Sequence, residues 1–195
     1  MDYDKYKVDI PEGQSGEWRI EKFTVSEQEA KFSELRAKIS FSDRGRPVKA
    51  GIYTRLLRNG TLVMSDTPAE IDDHYGTLRW SRGNVLLNGL GLGVALKIVL
   101  GNQGVKKVFV NELSEDVIKL VRPYFTDDRV VINHADAFEW KPPRGTRFGM
   151  IWHDIWDNIC EDNLPEMKKL HRKYGHYLDK GGEQGSWGRD LLDDH

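Results

Sequence analysis

The rhythm of hydrophobic and polar positions in this chain changes near residue 80. After it, short solid apolar runs alternate with stretches of helical period. The runs at 85–87, 107–110, 129–133, 149–153 and about 176–179 predict strands. Strands apolar on both faces belong to a parallel sheet covered on both sides. Between them, Val94–Leu100, 115–125 and 164–174 predict helices. Ser114 suits an N-cap, with Glu115 and Asp116 in the first turn, while Val117, Ile118, Leu120, Val121 and Tyr124 supply a buried face. Pro165 opens the last helix, Met167, Leu170 and Tyr174 share one face, and Gly175 closes it. Strands alternating with helices of this length predict an α/β domain over residues 81–195.

Residues 1–80 read differently. Trp18–Val25 and Lys38-Ile39-Ser40-Phe41 alternate as half-buried strands do, and Glu27–Arg36 suits a short helix between them. Asp43-Arg44-Gly45-Arg46-Pro47 reads as a turn. Asn59-Gly60, between Tyr53–Leu57 and Leu62–Met64, is the signature of a type I′ hairpin. Asp66-Thr67-Pro68-Ala69-Glu70 reads as a helix start, with proline in the first turn and acid near the positive end. The prediction is a β-rich N-terminal extension that lies over the main domain as a substrate lid.

The first strand of the main domain runs into Asn88-Gly89-Leu90-Gly91-Leu92-Gly93, and the second ends two residues before Glu112. Glycines let backbone turn tightly and approach a ligand without side-chain interference. An acid at the tip of the next strand is placed to accept from ribose hydroxyls, as in nucleotide-binding βαβ units. The Gly-x-Gly-x-Gly spacing, not Gly-x-Gly-x-x-Gly, provides less well for the pyrophosphate of a nicotinamide dinucleotide.

Over roughly residues 80–180 the chain resembles the class I S-adenosylmethionine-dependent methyltransferase superfamily. The resemblance rests on the 89–93 loop, on Glu112, on His134-Ala135-Asp136-Ala137-Phe138, and on Ile151-Trp152-His153-Asp154-Ile155-Trp156-Asp157, in that order. It implies S-adenosyl-L-methionine as cofactor, held by Asn88, Gly89, Gly91, Gly93, Glu112, Leu113, Asp136 and Ala137. In that family the glycine loop holds the methionine end, the Glu112 position clasps the ribose, and Asp136 and Ala137 meet adenine. Gly60–Asp66, and the pair Asp154 and Asp157, further resemble the spermidine synthase branch, where one such Asp helps deprotonate the attacking amine and the other orients it. Asp154, Asp157 and His153 are the catalytic candidates that follow, with Trp156 and Asp66 assigned to substrate. Two positions depart from these patterns: Leu92 stands where aminopropyltransferases carry an acid, and Leu87 where many methyltransferases do. The expected fold is Rossmann-like, with five strands in the order 3-2-1-4-5 and a short C-terminus.

Bulk numbers narrow the setting. A net charge of −2 gives no electrostatic reason to expect nucleic acid as partner. Cys160 is the only cysteine, so an intramolecular disulfide and a thiolate zinc cluster are both excluded. No apolar run approaches the ~20 residues of a membrane helix, and Met-Asp-Tyr-Asp-Lys is too charged for a signal peptide, so a cytoplasmic protein is expected. Asp72-Asp73-His74 reads as a solvated helix face, not as metal ligands, and no metal is expected. Trp152 reads as core, and Gln184–Arg189 as an ordered edge segment with no chemical role. The sheet edge left by a short C-terminus favours pairing with a second copy.

The expected activity is methyl transfer to nitrogen or oxygen of a small molecule, with an aminopropyltransferase-like reaction as runner-up. A silent nucleoside-binding or assembly module is the third reading.

Overall fold

The apolar runs after residue 80 pair as one parallel sheet. The computed structural model describes residues 2–39 and 47–192. In it β5 (Gly83–Asn88), β6 (Val105–Glu112), β7 (Val130–His134), β8 (Phe148–His153) and β9 (Leu178–Ser186) lie in the order β7-β6-β5-β8-β9, all parallel. This is the expected 3-2-1-4-5 arrangement. Alternate residues face opposite sides of a strand, and here they feed two cores. Val85, Leu87, Val108, Val110, Met150 and Trp152 face one, with helices α3 (Val94–Leu100) and α4 (Glu115–Val121). Leu86, Phe109 and Ile151 face the other, against Leu170 and Tyr174 of α5 (Asn163–Tyr174).

The N-terminal part is a four-stranded antiparallel sheet in chain order: β1 (Gly13–Ser15), β2 (Trp18–Val25), β3 (Gly51–Arg58) and β4 (Thr61–Ser65). Asn59 and Gly60 both have positive φ, 50° and 80°, as a type I′ turn requires. Helix α1 (Glu27–Ile39) follows β2, and α2 (Pro68–Leu78) follows β4 and packs on α3. The sheet also docks on α4, where Ser15 Oγ donates to Asp116 at 2.6 Å. Tyr6, Val8 and Ile10 run into the first core, so the two parts share one hydrophobic interior.

The structure corrects several expectations. Lys38 and Ile39 belong to the end of α1, whose last turn carries the basic residues Arg36 and Lys38 that favour a helix C-terminus. Ser40 and Phe41, and the expected turn residues 43–46, lie outside the described residues. Pro123 ends α4 in a 3-10 turn, so Tyr124 leaves the buried face and is exposed. The last strand is longer than predicted because its glycines are packing devices. A Cβ at Gly182 would lie 2.6 Å from the Phe148 carbonyl oxygen, and one at Gly185 2.6 Å from the Trp152 ring.

Asp66, assigned to substrate, is a structural residue. It is 1% exposed and accepts from the backbone N–H of Val8 at 3.0 Å and of Thr54 at 2.6 Å. The carboxylate thereby satisfies two buried backbone donors and fastens the N-terminal segment to β3.

Candidate functional site

A cavity of about 540 Å³ opens where the carboxyl ends of β5, β6 and β8 meet the underside of the N-terminal sheet. Ligands of open α/β sheets bind at this end, where the strand order reverses, and the volume lies within the range of small-molecule sites. Gly89, Gly91, Glu112, Leu113, Asp136 and Ala137 all line it. So do Asp154, Trp156 and Asp157. Most of the residues singled out from the sequence therefore converge on one space.

Each is held by its strand. Gly89 donates its N–H to the Asn111 carbonyl at 2.8 Å, and Asp154 donates its own to the Asn88 carbonyl at 2.7 Å. Glu112 is the hinge of the floor: Oε2 accepts from the Leu90 N–H at 2.9 Å and Oε1 from the Ser114 N–H at 2.8 Å. The same carboxylate thus ties the glycine loop to the tip of β6, and each oxygen keeps a lone pair for a ligand hydroxyl. Asp136 caps its own turn through the Phe138 N–H at 2.7 Å. Asp157, exposed at the rim, lies 3.5 Å from an Arg58 guanidinium nitrogen.

Besides Asp66, three assigned residues do not reach the cavity. The Gly93 Cα faces the Phe125 ring, where a Cβ would lie 2.4 Å away, and the residue serves to start α3. Asn88 and His153 are both fully buried and turn toward α5, the face their register gives them. There they form part of a polar chain that crosses every strand of the sheet. Asn133 Nδ2 donates to Asn111, Asn111 Nδ2 to Asn88, and Asn88 Nδ2 lies 2.8 Å from His153 Nδ1. The Gln184 amide meets His153 Nε2 on the other side, also at 2.8 Å. Burial, and then the neighbouring His171, push the His153 imidazole down to about 3, so it is neutral and engaged at both nitrogens.

The N-terminal part supplies most of a roof, through side chains to which the motifs assign no role. Trp18, Arg58 and Met64 come from the sheet, Glu70 and His74 from α2, and Trp187 from the segment after β9. Met64 lies over the loop: its thioether accepts from the Leu92 N–H at 3.0 Å, and a Cβ on Gly91 would meet that sulfur at 2.2 Å. Trp187 Nε1 donates to Asp73 at 3.2 Å, tying the C-terminal segment to α2. That segment therefore forms part of the cavity wall. His74 is 1% exposed, not solvated, because Ile71, His74 and Leu78 share the buried face of α2 at spacings of three and four. That spacing was the available signal, obscured by the acidic residues between.

The charge in this cavity is one-sided. Glu112, Glu115, Asp116, Asp136, Asp154 and Asp157 line it from the main domain, and Glu17 and Glu70 from the extension. Arg58 is the arginine or lysine among its lining residues, and it is already paired with Glu17 at 2.7 Å. Burial, then the charges of Glu70, Asp73 and Glu112, push the Asp154 carboxyl up to about 8. Burial pushes His74 down to about 4, partly opposed by Asp73. The two approach within 3.6 Å, so near pH 7 they stand as a carboxylic acid beside a neutral imidazole, not as an ion pair. Among the described residues no cluster of His, Cys, Asp and Glu is arranged to hold a metal ion, and no helix is long and apolar enough to cross a membrane.

No protein-family model and no curated protein matches the chain. Solved structures do. The N-methyltransferase NodS from Bradyrhizobium japonicum WM9, in complex with S-adenosyl-l-homocysteine, is similar at 14% identity and a TM-score of 0.49, over 61% of each chain. The CcbJ methyltransferase from Streptomyces caelestis is similar at 20% identity and a TM-score of 0.46, over 59% of this chain and 48% of that one. Spermidine synthase from Thermotoga maritima is similar at 20% identity and a TM-score of 0.54, over 91% of this chain. The chain spans only 56% of that synthase's length. With the 3-2-1-4-5 parallel sheet, this last likeness shows the fold: Rossmann-like, with an antiparallel N-terminal sheet.

Proposed function

We propose that the protein is an S-adenosylmethionine-dependent methyltransferase with a small-molecule nitrogen or oxygen acceptor. The observation that carries this reading is a single acid-lined cavity bounded by the Gly89–Gly91 backbone, by Glu112 and by Asp154. The residues fit the cofactor in charge and in donor set. A cationic sulfur suits a cavity whose carboxylates outnumber its cations, and Glu112 is a strand-tip acid with lone pairs to offer a ribose. Met64 over Gly91 is an unbranched, adaptable side chain and can yield the loop to a ligand.

Bound S-adenosylmethionine supplies an activated methyl group, so the protein's task is mainly alignment, which is worth effective molarities on the order of 10^5 M or more. Glu112, Asp136 and the Ala137 backbone hold the nucleoside. Asp154 holds the acceptor and takes its proton, a contribution of about 10^2 to 10^4 in rate, with Asp157 at the rim to orient it. Trp18, Trp156 and Trp187 line the same cavity and offer ring faces to a cationic acceptor.

The test is calorimetric titration with S-adenosylmethionine, its decarboxylated form, S-adenosylhomocysteine and NAD. Micromolar binding of the carboxylated cofactor and its product, with weak binding of the decarboxylated form, supports the reading and justifies acceptor screening. Preference for the decarboxylated form would favour aminopropyl transfer in spite of Leu92. Binding of none would leave the loop a structural turn. Glu112→Ala is expected to raise the dissociation constant for S-adenosylmethionine by roughly 10- to 100-fold, the worth of one or two charge-assisted hydrogen bonds. Glu112→Gln, which keeps the side chain's length and one acceptor oxygen, should lose less. An unchanged affinity in Glu112→Ala would sink the ribose assignment.

A further inference from the structure

His74 is buried in the roof of the cavity, its Nδ1 without a hydrogen-bond partner among the described residues, and its Nε2 stands 3.6 Å from Asp154 Oδ2. The side chains around Asp154 offer it no free cation. From α2 it meets Glu70, Asp73 and His74 itself; from the tip of β6, Glu112. Asp157 follows in its own loop with Arg58 of β3, and that arginine is shared between Asp157 and Glu17. Asp136 lines the cavity after β7, and after β9 Trp187 contributes an aromatic ring. The Asp154 backbone lies directly against Gly89, so its carboxyl is next to the glycine loop.

We propose that His74 and Asp154 together gauge charge in the cavity. The pair holds one proton until a cation arrives and surrenders it when the sulfonium of S-adenosylmethionine enters, so that the site distinguishes that sulfonium from the neutral thioether of S-adenosylhomocysteine. This rests on the methyltransferase reading. The step is a simple ionisation: the O–H bond of the Asp154 carboxyl breaks, the proton passes to water, and the carboxylate left behind faces the new positive charge. A unit charge arriving some 6–8 Å away in a medium of effective dielectric near 20 alters a carboxyl's ionisation equilibrium by roughly thirty- to a hundredfold. With Asp154 titrating at about 8, that is enough to change its state near neutral pH. Methyl transfer would reverse the exchange, because the product is neutral: the carboxyl takes a proton back and the hold on the product weakens.

Proton release is read by titrating the full-length protein at pH 7.5 in phosphate and in Tris, whose ionisation enthalpies differ. S-adenosylmethionine is expected to release roughly three-quarters of a proton more than S-adenosylhomocysteine, the fraction of Asp154 protonated at that pH. Its advantage over the product should grow by up to about tenfold per pH unit and flatten above pH 8. Asp154→Asn supplies the baseline, because the ligands' own amino groups titrate in both proteins, and should lose both effects. His74→Gln replaces a buried ring by an amide that can donate to the carboxylate, so the flattening point should fall by about one pH unit. An unmoved point would remove His74 from the pair. Equal proton release by the two ligands, with both bound, overturns the proposal and leaves the methyltransferase reading standing. Failure of both to bind overturns that reading, and this one with it.

Discussion

Replacing Gly89 with alanine is expected to lower the melting temperature by on the order of 10 °C, or to prevent folding altogether. Its φ is 103°, and a Cβ there would stand 1.8 Å from the Asp154 carbonyl oxygen. Neither side can retreat cheaply. Gly89 is bonded to the Asn111 carbonyl and Asp154 to the Asn88 carbonyl, so both backbones belong to the carboxyl end of the sheet. A flexible side chain could swing away from such an intrusion, but a carbonyl in a strand tip cannot. The cost is set at about 3–5 kcal/mol, the scale of a severe buried clash. Gly60→Ala is the comparison. It too has a positive φ, 80°, but nothing lies within 4 Å of its Cβ position, so it should cost only about 1 kcal/mol of backbone strain. Thermal melts of the two variants decide the matter. Equal losses would mean that backbone conformation, and not the contact with Asp154, sets the requirement at Gly89.

The second large effect is a stability maximum near pH 6.5, flanked by losses of about 1 kcal/mol at both pH 5 and pH 8. Three buried groups produce it. His74 and His153 titrate at about 4 and about 3, well below an ordinary histidine. The stabilisation from holding them neutral is complete above pH 6.5 and is lost as pH falls toward their folded values. Asp154 has the opposite sign. Its folded value of about 8 lies above that of a free carboxyl, so its contribution is full below pH 3.8 and is lost as pH rises to 8. Between pH 4 and 5.5 the unfolded chain binds nearly one more proton than the folded one, and stability rises with pH by about 1.2 kcal/mol per unit before levelling off toward 6.5. Between 6.5 and 8 the folded chain binds about half a proton more, because the unfolded histidines keep part of their protons and Asp154 is itself half ionised at pH 8, and stability falls at roughly half that rate. Urea midpoints measured across this range test the shape. Asp154→Asn should flatten the alkaline limb and steepen the acid one. A wild-type profile that keeps rising to pH 8 would mean that Asp154 is ionised in the folded protein.

The main sheet was legible because β5, β6 and β8 carry apolar residues on both faces, a pattern with few other homes. The glycine loop, Glu112, Asp136 and Asp154 were legible for a related reason: each sits at the tip of such a strand, so order along the chain is nearly position in space. One residue of offset was harder. Asn88 and His153 precede cavity residues by a single place, and the strand's alternation turns them to the opposite side, in line with Leu86 and Ile151. Counting parity from those apolar neighbours would have assigned them to the α5 side. The roof was less readable. His74 lies within an acidic run that looks solvated, and Trp187 reaches the cavity only because the glycine-rich β9 runs on to Ser186 against His153. Glycines that exist to admit a neighbouring strand have no hydrophobic pattern of their own.

The polar chain through Asn133, Asn111, Asn88, His153 and Gln184 has a directional consequence. Each asparagine hands its N–H to the next, so the bonds run from β7 toward β8 and arrive at His153 Nδ1. A neutral imidazole that accepts at Nδ1 must carry its hydrogen on Nε2, and Gln184, whose amide nitrogen stands 2.8 Å from that atom, accepts the hydrogen only with its amide turned over. The tautomer of one buried ring is therefore dictated from the far edge of the sheet. Reversing any one of the three asparagine amides would set two donors or two acceptors face to face, so the three can change orientation only in concert.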